Sequence, residues 1–225
     1  MSGRPKPRTQ PHIAVIGDML DSRAASGSRR MRIQKRFTQF IGGLNRSVRY
    51  GPALRSRFAI TLGDEFQGIL NNASVLPELI WDVTNATDLP TFRLGIGYGT
   101  IDTEIPPYAI NLDGPALHHA RSAIDIAKEE GLLGGVFVGF GEEIDVAANG
   151  IARLLWFHSH KRTPAQLRVL GLLREGRTQV EIARRLRRKP QVINKQKVAA
   201  GWEAYRAGEQ ALCAILRLGT APPRK

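Results

Sequence analysis

Apolar positions along the chain fall into short continuous runs separated by longer stretches in which they recur every three or four residues. His12–Gly17, HIAVIG, is a run rich in β-branched residues and predicts a buried first strand. Arg29–Tyr50 carries Met31, Phe37, Phe40, Ile41, Leu44 and Val48 at helical spacing with basic residues between them, an amphipathic helix closed by Tyr50-Gly51-Pro52. Ala59–Leu70, AITLGDEFQGIL, predicts a hairpin: strands Phe58–Leu62 and Phe66–Leu70 around the acidic turn Gly63-Asp64-Glu65. A helix over Ala73–Thr87 presents Leu76, Leu79, Ile80 and Val83 on one face.

Phe92–Tyr98, FRLGIGY, alternates large residues with glycine, as a strand does where another backbone or a ligand comes close. Asp113 and Pro115 open a helix over Ala116–Glu130, with Asp113 as its cap, and Gly135–Phe140 is a further short strand. The order β-α-β-β-α-β-α-β predicts an α/β (α+β) protein with a ferredoxin-like mixed sheet and helices packed on one face. Ile144–His158 predicts a helix that closes this core or links it to the C-terminal third. From Thr163 the pattern is helical throughout: Pro164–Arg174, Thr178–Arg187, Gln191–Ala200 and Trp202–Leu218. The expected organisation is a flexible basic arm at 1–11, a sheet domain at 12–158, a small all-α domain at 159–218 and a disordered tail at 219–225.

Charge changes this picture. Residues 1–158 hold 17 Lys+Arg against 16 Asp+Glu, whereas 159–225 hold 16 against 4, so nearly all of the net +13 lies in the last third. Such asymmetry points to a nucleic-acid partner for that segment. In TQVEIARRLRRKPQVINKQKV, Thr178 and Glu181 form a capping box, and Val180, Ala183 and Leu186 are expected inward. With Val192 and Val198 on the following helix, the stretch looks like a helix-turn-helix motif for double-stranded DNA. Gln191, Asn194, Lys195 and Lys197 would face base edges, and Arg184, Arg185, Arg187, Arg188 and Lys189 would meet phosphates, with Thr178 at the start of the leading helix. A solvated helical hairpin and a protein-docking helix are the alternatives.

A single cysteine, Cys213, rules out an intrachain disulfide, and no stretch of 18 apolar residues occurs. The expectation is a soluble cytoplasmic protein with no membrane partner. Asp18, just after the first strand, and Asp64, at the hairpin tip, would lie on neighbouring strand ends, where two carboxylates can hold Mg²⁺ against nucleotide phosphates. Ordinary turn residues are the alternative.

IGDMLDSR, ITLGDEFQG, FRLGIGYGTIDT and LDGPALHHARSAI together resemble the SatD family, and the same blocks resemble the catalytic domain of class III nucleotide cyclases over about residues 12–140. GDEF also resembles the end of the diguanylate cyclase signature. The resemblance implies a palm-type sheet, a two-fold homodimer and a nucleotide site at its interface. It makes Asp18 and Asp64 metal ligands, Met19 the residue whose carbonyl assists them, and Arg121 the arginine that stabilises phosphate charge. Arg23, close behind Asp21 in the chain, would reach a phosphate, with an ordinary surface arginine as the alternative. Two positions depart from the cyclase pattern. Ile60 and Thr61 occupy the region of the expected base-reading lysine, and Leu117 stands where an asparagine is expected, with His118 beside it and His119 next in the chain. Without those donors, binding outlasts turnover. The expectation is therefore a DNA-binding transcriptional regulator whose cyclase-like domain dimerises and senses a nucleotide with Mg²⁺. An active nucleotide cyclase or nucleotidyl transferase with a DNA-binding appendage is the alternative, and a purely structural dimerisation module is a third reading.

Overall fold

The computed structural model describes residues 10–20, 27–61, 63–86 and 89–221. Most of the expected arm at 1–11 and tail at 219–225 lies outside these residues. Five strands form one mixed sheet in the order β2-β3-β1-β4-β5: β1 His12–Met19, β2 Leu54–Ile60, β3 Glu65–Leu70, β4 Phe92–Gly99 and β5 Val136–Val138. The central β1 is antiparallel to both β3 and β4, β2 is antiparallel to β3, and β5 joins β4 in parallel. The strands alternate with α1 Gly27–Arg46, α2 Leu76–Thr84, α3 Pro115–Glu129 and α4 Glu142–Ser159. Four more helices complete the described chain: α5 Pro164–Arg174, α6 Gln179–Leu186, α7 Pro190–Ala199 and α8 Trp202–Thr220. No helix among the described residues is long and apolar enough to cross a membrane.

The side chains of β1 alternate between two cores. Ile13, Val15 and Met19 join the larger one with Phe37, Ile41 and Leu44 of α1 and Leu76, Leu79 and Val83 of α2. Ala14 and Ile16 join the other with Ala116, Leu117, Ala120 and Ile124 of α3. The helices thus cover both faces of the sheet, and the expectation of a single covered face is corrected. The reason lies in the glycines of β4. A Cβ at Gly95 would sit 2.2 Å from the Ala120 carbonyl oxygen, and one at Gly97 2.2 Å from that of Ala116. Glycine on β4 and alanine on α3 let the helix backbone settle directly against the strand. What comes close in FRLGIGY is a backbone.

The glycines Gly17 and Gly68 serve the opposite face, where a Cβ would strike the rings of Phe66 and Phe58. Phe66 meets Phe37, Phe58 and Phe92 at 5.6 to 6.1 Å between centroids, in edge-to-face geometry. Helix α1 ends at Arg46, four residues short of expectation, so Val48 falls in the turn after it and is 90% exposed. Asn45 bonds both the N–H and the C=O of Phe58 at 2.8 and 2.9 Å, and Asn149 does the same to Phe137 at 2.8 and 2.9 Å. These two amides fix α1 against β2 and α4 against β5.

Helices α5, α6 and α7 enclose a small core of Val169, Leu172, Ile182, Ala183 and Ile193. Both α5 and α6 start with capping boxes, Thr163 with Gln166 and Thr178 with Glu181, each worth about 1 kcal/mol. Ala183 and Leu186 face this core as expected, joined by Ile182 and Ile193, whereas Val180, Val192 and Val198 are exposed, which corrects the expectation for Val180 alone on α6. Helix α8 returns to the sheet: its Leu212 and Leu216 complete the larger core beside Ala148 and Ala152 of α4.

Candidate functional site

Three charged residues stand in a row across the sheet, because β1 registers Asp18 against Glu65 of β3 and against Arg93 of β4. Directly opposed residues share a face, and this face is the one covered by α3, whose Arg121 and Lys128 reach the row. Asp18 is mostly buried and lies 3.4 Å from Lys128 Nζ and 3.8 Å from Arg93 Nη1. Glu65 is 5% exposed and receives both ends of the Arg121 fork, at 2.5 and 2.8 Å, together with the Thr61 hydroxyl at 2.9 Å. Burial pushes the Glu65 carboxyl up, but the hydrogen bonds from Arg121 and Thr61 outweigh it and leave the group below the usual range. Bonding to Glu65 holds the Arg121 guanidinium above its ordinary value against the effect of its own burial.

Asp64 sits in the turn before β3, partly buried, and its carbonyl accepts the Met19 N–H at 3.0 Å. The two ends that carry Asp18 and Asp64 are thus adjacent, and Met19 lies between them with its side chain in the larger core. Two carboxylates at adjoining strand ends suit a hard cation that takes oxygen ligands and keeps several waters. A cation there would share Asp18 with Lys128 and Arg93. Among the described residues no three His, Cys, Asp or Glu side chains assemble a metal site. The Nε of Arg93 is buried without a hydrogen-bond partner, an unmet donor beside Asp18. Arg23 lies outside the described residues.

Asp113 does not cap α3 by its side chain. Gly114 takes the N-cap position at φ 140°, and the Asp113 carboxylate accepts from the Gly114 N–H at 2.8 Å and bonds His118 Nε2 at 2.7 Å. His119 bonds the Tyr98 carbonyl at 2.7 Å and borders a shallow groove between α3, β5 and α4.

On the other part of the molecule, α6 ends at Leu186 and is capped by Arg187, whose φ of 53° turns the chain, and α7 begins with Pro190 in its first turn. Arg184, Arg185, Arg187, Arg188, Lys189, Gln191, Asn194 and Lys195 are all exposed on this pair. Thr178 is engaged in its capping box. Lys197 is paired with Glu203 at 2.5 Å, which leaves it less available than its neighbours.

Between the two parts lies a buried ionic cluster that the sequence pattern does not reveal. Arg174 of α5, its side chain 1% exposed, bonds Glu209 of α8 at 2.8 and 2.9 Å and Glu78 of α2 at 3.0 Å, and stacks 4.4 Å from the Trp81 ring. Arg206 bonds the same two carboxylates at 2.9 and 2.8 Å, and Arg49 joins through Glu78 at 3.6 Å while also pairing with Asp82 at 3.1 Å. Arg206 and Glu209, at i,i+3 on α8, are the only oppositely charged members close in sequence, and that spacing is the sole local signal of an ion pair in the cluster. Glu65, Arg93 and Lys128 are likewise absent from the sequence-derived site. Glu65 reads there as a turn residue, strand register alone places Arg93 against Asp18, and Lys128 reaches it only because α3 packs on that face of the sheet.

Among comparisons with known proteins, a model of the SatD family matches residues 12–212. No curated protein matches the chain.

Proposed function

The chain belongs to the SatD family, and from that premise we propose that it is a DNA-binding transcriptional regulator whose sheet domain dimerises and senses a nucleotide. The observation that carries the first part is the exposed basic surface of α6, α7 and the three-residue turn between them. In a helix-turn-helix reading α7 enters the major groove with Gln191, Asn194 and Lys195 toward base edges, while Arg184, Arg185, Arg188 and Lys189 hold phosphates. Two such units in a dimer read half-sites about one helical turn, roughly 34 Å, apart.

The split order β2-β3-β1-β4, in which each α-helical crossover skips one strand, supports a ferredoxin-like, palm-type sheet. At its acidic end Asp18 and Asp64 would hold Mg²⁺, which supplies charge neutralisation for nucleotide phosphates. Lys128 and Arg93, with its unmet Nε, would turn from Asp18 toward the phosphates. Arg121 is already bonded at both ends of its fork by Glu65. A guanidinium so committed stabilises the resting site more than a transition state, which favours sensing over conversion.

Fluorescence anisotropy with duplex DNA across a salt series tests the DNA reading. Binding should weaken with salt, and Arg184→Ala or Arg185→Ala should each reduce the log–log slope by about 0.9. Absence of salt-sensitive binding overturns it. The adjacency of Asp18 and Asp64 keeps the enzyme reading in play, and incubation with Mg²⁺ or Mn²⁺ and each nucleoside triphosphate discriminates. Product that disappears in Asp64→Ala would replace sensing by catalysis. Loss of a nucleotide-dependent thermal shift in Asp64→Ala, without any product, supports sensing.

A further inference from the structure

Helix α4 has two apolar faces, and the fold uses one. Ala148 and Ala152 are buried in the larger core with Ile144, Ile151 and Leu155 packed beside them, and Asn149 and Asp145 pin the helix to the backbone of Phe137, Gly139 and Phe140. This fixes its rotation. The face turned away carries Val146, Leu154 and Phe157, exposed at 72, 71 and 60%. A Cβ at Gly150, in the middle of that face, would meet nothing within 4 Å.

The spacing on this face is specific. Glu143, Ala147, Gly150, Leu154, Phe157 and Lys161 succeed one another at intervals of four, three, four, three and four. That is the spacing of a two-stranded coiled-coil seam, carried by α4 and, at Lys161, by the turn just past its end, on a face opposite the one packed against the core. The seam is also self-complementary. Turned antiparallel about its midpoint at residue 152, it sets Leu154 of one chain over Gly150 of the other, Phe157 over Ala147, and Lys161 opposite Glu143. Each large side chain meets a small one, and the acidic first turn of α4 meets the basic residue just past its end. Lys161 already lies over the Phe157 ring at 4.1 Å, where the seam would cover both.

From this register we infer that α4 is the docking surface for a second copy of this chain, with two α4 helices crossing antiparallel on a two-fold axis. Such an isologous contact presents the same patch from both protomers and closes on itself. No seam residue is among the partners of Asp18 or Glu65. The inference rests only on the dimer in the reading above and stands whether or not the chain binds DNA or nucleotide. The contact is small, a single pair of helices about 27 Å long, so dissociation is expected on the order of micromolar concentration.

Sedimentation equilibrium of the full chain tests it. The wild type should shift from monomer to dimer across the micromolar range. Leu154→Glu places a charge on an exposed position, so the monomer keeps its thermal midpoint while dimer affinity weakens on the order of a hundredfold. Gly150→Leu fills the hole with a better helix former, so it should raise the monomer's thermal midpoint and still abolish the dimer. Glu143→Lys and Lys161→Glu each place like charges opposite one another twice and weaken the dimer. Their combination restores it, although both changes oppose the dipole of α4 itself, so recovery cannot come from the monomer. A wild type that stays monomeric at hundreds of micromolar overturns this seam and the dimer together. A wild-type dimer indifferent to Leu154→Glu and Gly150→Leu overturns the seam alone.

Discussion

Replacing Arg174 by methionine removes the centre of the ionic cluster while keeping most of the side-chain volume. The arginine is 1% exposed and shares two hydrogen bonds with Glu209, itself 4% exposed, so the substitution strands a buried carboxylate. Removing one partner of a buried pair costs about 3–5 kcal/mol. Arg206 Nη1 still holds Glu209 at 2.8 Å and Glu78 at 2.9 Å, so the lower end applies, about 3 kcal/mol. For a chain of this size that corresponds to a thermal midpoint roughly 6–12 °C lower. The double variant Arg174→Met with Glu209→Met removes one charge of each sign and leaves Arg206 and Glu78 to pair. Most of the loss should be recovered, because a desolvated pair replaced by apolar groups is often neutral in stability. Urea unfolding followed by circular dichroism and by the fluorescence of Trp81, which Arg174 overlies, measures both variants. A single variant within about 1 kcal/mol of the wild type, or a double variant no better than the single, refutes the reasoning.

The same geometry sets other outcomes. The Glu65 carboxyl is lowered in the folded state, so its pairing with Arg121 contributes stability above the unfolded carboxylate pKa and loses it as pH falls through the folded value; Glu65→Gln should flatten the acid limb of a stability–pH profile, and an unchanged limb contradicts the assignment. Gly97→Ala puts a Cβ 2.2 Å from the Ala116 carbonyl and the Ala120 nitrogen, which both belong to backbone, and should destabilise by about 2 kcal/mol or more in a denaturant titration. Lys197→Ala should leave the salt dependence of DNA binding almost unchanged, since the ammonium is held by Glu203, whereas an effect equal to that of Arg184→Ala would mean that the pair opens on the DNA.

The sequence makes legible what periodicity and local chemistry carry. The strand HIAVIG, the alternating glycines of β4 and the capping box at Thr178 all stand at their expected places because each depends on neighbours within a few residues. Where two phases of a helix are both apolar, periodicity does not choose between them: Ile182 and Val180 are equally greasy, and only the packing of α5 against α6 decides which turns inward. Strand ends alone suffice to bring Asp18 near Asp64. They do not reveal the binding of Glu65 by Arg121, which joins residues 56 positions apart and requires α3 to lie on the second face of the sheet. The Arg174–Glu209–Glu78 cluster is hidden for the same reason, since its members come from α5, α8 and α2 and none of them is marked locally as buried.

Helix α8 bears on how the chain reaches this state. Its Leu212 and Leu216 fill the core against α2 and α4, and its Tyr205 packs at 5.7 Å from Trp81. Every element it covers precedes it in the chain, so during synthesis the part of the larger core between α2 and α4 stays open until α8 has been made. Packing of the larger core cannot finish vectorially; it waits for the helix that comes after the basic pair. A fragment stopped before Trp202 would therefore present Trp81, Leu76 and the inner face of α4 to water, and chaperones or proteases would meet it as an unfinished protein.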